Sequence, residues 1–187
     1  MTNAIVPGSL AAIAQRDGMS LAASFLSCDV LVLIDQSGSM SARDAHGGQS
    51  RFDAADAELT RLQRGNAGKV AVISFSNRVE FCPGGMPNRE GGSTNMAAAL
   101  DFAHVADGVC QIVLISDGEP DEEGKTLAAA RRFTSPIHTI YIGPDAGGAW
   151  GGREFLERLA RATGGRAFKS TAPGLLADGV EQLLLAA

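Results

Sequence analysis

No stretch of the 187-residue sequence approaches the ~20 consecutive apolar residues that a membrane-spanning helix needs. The start of the chain lacks a basic segment, and its short apolar run from Leu10 to Ala14 is broken at once by Gln15, Arg16, Asp17 and Gly18, so no secretory signal is read there. Cysteine is scarce. Cys28, Cys82 and Cys110 are odd in number and far apart, which fits a reducing compartment better than a disulfide framework. These shortages together give the expectation of a soluble, cytoplasmic protein without a membrane partner. Positive charge is short too: 16 Lys and Arg stand against 21 Asp and Glu, for a net charge of −5. The basic residues are scattered singly or in pairs, so no stripe exists to neutralise phosphates, and nucleic acid is disfavoured as a partner. Internal repeats and low-complexity tracts are absent as well.

What is present is globular. Hydrophobic residues make up 45% and charged residues 20% of the chain, enough for a single core that buries roughly 70% of the unfolded surface. Three short apolar runs rich in β-branched residues, Val30 to Ile34, Val70 to Phe75 and Ile112 to Ile115, read as buried strands. A fourth spans Ile137 to Ile142, and a weaker fifth lies around Arg166 to Phe168. Between and after them, apolar residues return every three or four positions over Phe52 to Leu62, Met96 to Ala106, Lys125 to Phe133, Arg153 to Ala162 and Leu175 to Leu185, which predicts helices. The alternation predicts an α/β fold: an open, mainly parallel, doubly wound sheet with helices on both faces. Val79 to Phe81 is expected as a short antiparallel edge strand. Residues 1–27 form an N-terminal extension, read as a helix broken at Gly18, and residues 28–187 form the domain. The extension either packs onto that domain or offers a docking surface to another chain.

The strand ending at Ile34 runs directly into Asp35-Gln-Ser37-Gly-Ser39, placing a carboxylate and two hydroxyls on a turn that Gly38 is expected to sharpen. The strand ending at Ser116 delivers Asp117-Gly118, and Gly91-Gly-Ser93-Thr94-Asn95 opens a helix. Each alone has an ordinary reading, as a loop with local hydrogen bonds, a turn or a helix cap. Together they converge where open α/β sheets hold ligands, beyond the carboxyl ends of the strands. Hard oxygen donors with no His or Cys cluster suit Mg²⁺, with Mn²⁺ or Ca²⁺ as alternatives, and disfavour Zn²⁺ or Cu²⁺. Two aspartates at most neutralise such an ion, leaving it electrophilic toward an outside carboxylate.

In order and type, Asp35, Ser37, Ser39, Thr94 and Asp117 resemble the complete metal-ion-dependent adhesion site of von Willebrand factor A domains, and the resemblance extends over roughly residues 28–185. It implies that Ser37, Ser39 and Thr94 contact the metal through hydroxyls, while Asp35 and Asp117 act largely through bound waters. Ser93 precedes the matching Thr94 and leaves an exchange of roles open. The implied function is non-enzymatic: a divalent-metal-dependent protein-binding module whose metal accepts an Asp or Glu carboxylate from a partner.

Two other functions compete. In a structural subunit of a larger assembly, the metal would only stabilise loops and residues 1–27 would make the contacts. Mg²⁺-dependent phosphoryl transfer would use Asp35 as a nucleophile after the first strand, but the second acid expected two residues on is Ser37 here. Gly124-Lys-Thr126 sits at the wrong distance from Gly118 for a phosphate-binding loop and follows Glu122 and Glu123, so it reads as a helix start. The histidines, His46, His104 and His138, form no triad with a serine, and no Gly-x-Ser-x-Gly elbow is present. Residues 40–50, with Asp44 and His46, and the glycine-rich loop carrying Trp150 are candidate rims of the site. Cys28 and Cys110 each lie seven residues before an aspartate of the site, which puts both at the bottom of the sheet, either as small core residues or as a redox pair.

Overall fold

In the computed structural model, the structure is described for residues 5–144 and 151–169. Six strands form one sheet: β1 (Val30–Asp35), β2 (Val70–Phe75), β3 (Val79–Phe81), β4 (Gln111–Ser116), β5 (Ile137–Tyr141) and β6 (Ala167–Lys169). Their spatial order is β3-β2-β1-β4-β5-β6, all parallel except the β2–β3 pair. The helices are α1 (Leu10–Asp17), α2 (Leu21–Leu26), α3 (Arg51–Gly65), α4 (Met96–Ala103), α5 (Glu123–Ala130) and α6 (Gly152–Ala162).

The continuous apolarity of the central strands follows from burial on both sides. Every residue of β1 and β2 is buried. Leu31, Leu33 and Ile73 join a cluster with Met96, Ala99 and Leu100 of α4 and Phe155 and Leu159 of α6. The alternate residues Val30, Val32, Ile34 and Val72 pack with Phe52, Ala55 and Leu59 of α3. This two-sided pattern is the physical meaning of doubly wound, and among the described residues no helix is long and apolar enough to cross a membrane.

The helix boundaries differ from expectation at their polar ends. α3 begins one residue earlier than its apolar period, with Ser50 as N-cap accepting from the Asp53 N–H, and runs on to Gly65. The 96–106 stretch is α-helical only to Ala103 and then tightens into a 3₁₀ turn over His104–Ala106. α5 starts at Glu123 and stops at Ala130, where the expected helix ran on to Phe133. The predicted helix from Leu175 to Leu185 and the position of Trp150 lie outside the described residues.

The N-terminal segment divides at Gly18, which adopts φ 67° and closes α1 with its neighbour's N–H on Ala14. α1 packs onto the domain: Leu10 is 1% exposed and belongs to the main core cluster. Val6 and Ala11 donate backbone hydrogen bonds to Gly84 and Pro83, and Gly68 donates to Gly8. α2 is more open, with Leu21 and Leu26 exposed, while Phe25 meets Phe81 edge-on at 5.5 Å.

Candidate metal centre

β2 lies on one side of β1 and β4 on the other, so the winding direction reverses between β1 and β4. The crevice above that reversal is the ligand site of open α/β sheets, and both aspartates of the sequence motif rise beside it. The pairing aligns Ile34 with Ile115, so Ser116 stands across from Asp35 and Asp117 lies one residue farther up. Ser116 Oγ donates to Asp35 Oδ2 at 2.6 Å, and the Ser37 N–H donates to Asp35 Oδ1 at 2.8 Å. Asp35, Ser37 and Asp117 are all buried.

After Ser37 the chain tightens into a 3₁₀ turn over Gly38–Ser41, bringing Ser37 Oγ and Ser39 Oγ to 3.1 Å. Gly38 turns here without adopting a positive φ. Its N–H ties the turn to the Gly92 carbonyl at 2.9 Å. The Gly91 N–H in turn donates to the Gln36 carbonyl at 3.0 Å. Gly118 is the glycine that needs its freedom: its φ is 78°, and a Cβ there would overlap the Gly152 carbonyl.

Asn95, rather than Ser93 or Thr94, caps α4, accepting from the Ala98 N–H. Thr94 is thus free of capping duty and buried, whereas Ser93 is exposed. The Thr94 N–H donates to Asp121 Oδ1 at 2.8 Å, and the Asp121 N–H returns to the Thr94 carbonyl at 3.0 Å. The three loops carrying Asp35, Thr94 and Asp117 are therefore tied together through backbone bonds.

Burial, reinforced by the neighbouring charge of Asp117, pushes the Asp35 carboxyl up to about 7 despite the hydrogen bonds from Ser116 and Ser37. Asp117 has a cation against it: Arg51 Nη1 donates to its Oδ2 at 2.7 Å, with the two side chains 9% and 0% exposed. The same guanidinium grips Asp44 with Nε and Nη2, both at 2.8 Å, and holds that carboxyl below the usual range. Glu119 is raised, by burial first and then by Asp117. Asp44, read from sequence as part of a rim, is thus tied to the centre through Arg51.

Arg51, Ser116 and Asp121 escaped the sequence reading. One signal for Arg51 was available: it is the first residue of α3, where the helix macrodipole disfavours a cation, so its presence there calls for a carboxylate partner. Nothing comparable marks Ser116 or Asp121, because each acts on a residue distant in the chain.

The donor set fits a hard cation. Among the described residues, no cluster of three or more His, Cys, Asp or Glu side chains is disposed to hold a metal. Any ion at this rim would therefore rest on hydroxyls plus two carboxylates. Ser37 Oγ and Ser39 Oγ share a hydrogen bond at 3.1 Å, which places two hard oxygen donors side by side at this rim.

No family model and no curated protein matches the chain. Solved structures do. The chain is similar to an aerotolerance-related membrane protein from Bacteroides fragilis, at 19% identity and a TM-score of 0.70 over 86% of this chain and 100% of that one. It is also similar to a von Willebrand factor type A protein from Catenulispora acidiphila, at 18% identity and a TM-score of 0.57 over 84% and 42% of the two chains. The fold is that of a von Willebrand factor A domain. A manganese-loaded TRAP protein from Plasmodium vivax is a further neighbour, at 17% identity and a TM-score of 0.50 over 73% and 63%. At these identities the likeness concerns the von Willebrand factor A fold, and the site residues stand on this chain's own sequence and geometry.

Proposed function

We propose that this domain is a divalent-metal-dependent protein-binding module. The observation that carries the reading is the pair of buried carboxylates, Asp35 and Asp117, raised on the two strands that flank the reversal of the sheet. Two buried negative charges are costly without counter-charges, and Arg51 engages only Asp117 of the two. Ser37, Ser39 and Thr94 would hold Mg²⁺, or Mn²⁺ or Ca²⁺, through hydroxyl oxygens, with Asp35 and Asp117 acting largely through waters. The ion would supply an electrophilic open position for an Asp or Glu carboxylate of a partner protein. Asp35 and Asp117 position the ligand sphere, and the 3₁₀ turn keeps the two serine hydroxyls adjacent. This assigns binding without a catalytic step, and the manganese-loaded neighbour of the same fold is in keeping with it.

Partner capture from a native lysate tests the reading, with Mg²⁺, with EDTA, and with Asp35→Ala after circular dichroism confirms that the variant is folded. Loss of the same partner under both perturbations is expected; capture that survives both would overturn it. A second reading, a structural subunit that docks through its N-terminal segment, is favoured by the exposure of Met19, Leu21 and Leu26. It would keep partner capture in Ser37→Ala/Ser39→Ala and lose it when Leu21 and Leu26 are changed to Ser.

A further inference from the structure

The end of the sheet opposite the carboxylate rim carries a cluster with different chemistry. Cys28 lies two residues ahead of β1, and Cys110 immediately precedes β4. Both are free thiols, 3% and 5% exposed. Their Sγ atoms are 2.9 Å apart, only about 0.9 Å beyond the ~2.05 Å of a disulfide bond. The backbone holds them there. Asp29 and Val30 both donate to the Lys69 carbonyl, and Gln111 donates to the Asp29 carbonyl at 2.9 Å, which locks the two strand starts side by side. A cavity of about 540 Å³ opens at this floor, lined by Asp29, Cys110, Gln111, Pro136 and His138. Cys110 therefore meets a route from solvent, and Cys28 is its sulfur neighbour.

The two thiols are unequal. The hydrogen bond from Cys28 holds the Cys110 thiol below its ordinary range, while the same contact, then burial, pushes Cys28 up. Cys82 differs from both: its sulfur faces Ser74 Oγ at 3.4 Å, and burial raises its thiol.

We infer that Cys28 and Cys110 are an oxidisable dithiol, which a hydroperoxide entering the floor cavity converts to an intramolecular disulfide. The Cys110 thiolate attacks the peroxide oxygen, the O–O bond breaks, and the products are Cys110 sulfenic acid and, for hydrogen peroxide, hydroxide. Cys28 sulfur then attacks the sulfenic sulfur, the S–O bond breaks, and water leaves with the thiol proton. In sum, two thiols and one hydrogen peroxide give one disulfide and two waters; the thiols are oxidised and the peroxide is reduced. The bond would join the lower ends of β1 and β4, the strands whose upper ends lead to Asp35 and Asp117. It would also close a loop between residues 82 apart in sequence. Constraining the unfolded chain by so long a loop raises Tm on the order of 10 °C. The inference is independent of metal binding at the opposite rim.

Trypsin places each cysteine in its own peptide: residues 17–43 contain only Cys28, 79–89 only Cys82 and 90–125 only Cys110. The test treats folded, fully reduced wild-type protein with hydrogen peroxide, blocks remaining thiols by alkylation after denaturation, and maps the peptides without reduction. The expected result is a monomer lighter by two hydrogens before alkylation, with peptides 17–43 and 90–125 linked and Cys82 alkylated. Its Tm should be raised and should return on reduction. Cys82→Ser should form the same link. The inference is overturned if both thiols stay alkylatable, if Cys110 proceeds to sulfinic acid unlinked, or if the link runs through Cys82 or between chains.

Discussion

Replacing Asp35 by Asn should stabilise the metal-free protein at neutral and alkaline pH while removing its response to metal. With its carboxyl pushed up to about 7 by burial and by Asp117, the folded chain keeps a proton that the unfolded chain has lost above ~4. Protons bound in the folded state exceed those bound in the unfolded state across that window. The stability of the metal-free protein therefore falls as pH rises from ~4 to ~7, and the full penalty is present above ~7. A separation of roughly 3 pH units corresponds to about 4 kcal/mol. Asn removes the charge but gives up one of the two acceptor positions facing Ser37 N–H and Ser116 Oγ, at a cost of about 1 kcal/mol. The net gain of about 3 kcal/mol should raise Tm by roughly 5–10 °C for a chain of this size. Thermal melts in EDTA at about pH 8 and about pH 4 read this directly, with the gain vanishing at the lower pH as wild-type Asp35 becomes neutral. Added Mg²⁺ should then stabilise the wild type and leave Asp35→Asn unmoved. A variant that melts lower than wild type by the same amount at both pH values would refute the reasoning, because Asp35 would then carry no unbalanced charge.

Other substitutions probe the surroundings. Arg51→Met strands Asp117 without its 2.7 Å partner and should cost about 3–5 kcal/mol in EDTA, measured by urea unfolding, with part recovered on adding Mg²⁺. Gly118→Ala forces a side chain into φ 78° and against the Gly152 carbonyl, so it should lower stability by at least ~1 kcal/mol, seen as a lower Tm. Leu10→Ala should cost about 2–5 kcal/mol because that side chain is 1% exposed in the main core; an unchanged urea midpoint would show that α1 is not part of the cooperative unit.

Much of the fold was legible because burial on both faces leaves a direct mark on sequence. The strand Val30–Asp35 is apolar at every position until its last, and β2 and β4 carry the same mark over Val70–Ile73 and Ile112–Ile115. The candidate site was marked where it coincides with strand ends, at Asp35, which ends an apolar run, and at Asp117, one residue past Ser116. It was obscure where partners are chosen by the tertiary fold. Arg51 reaches 66 residues along the chain to Asp117, and Ser116 reaches 81 to Asp35. Register was also obscure. Counting back seven residues from each aspartate put Cys28 and Cys110 together at the bottom of the sheet, but the pairing of Val30 with Gln111 offsets them by one residue, so the thiols meet on a diagonal. Helix ends were misplaced where polar residues continue a helix, as over Gln63 to Gly65, or where a helix tightens, as at His104.

Metal uptake by the purified domain tests the central claim most directly. Mn²⁺ should be titrated into wild-type protein and into Ser37→Ala/Ser39→Ala, with the free ion followed by electron paramagnetic resonance and both proteins shown to be folded. The expected result is one ion bound per wild-type chain, displaced by excess Mg²⁺, and none bound by the double variant. A free-ion signal that wild type leaves undiminished, or equal uptake by both proteins, would contradict it.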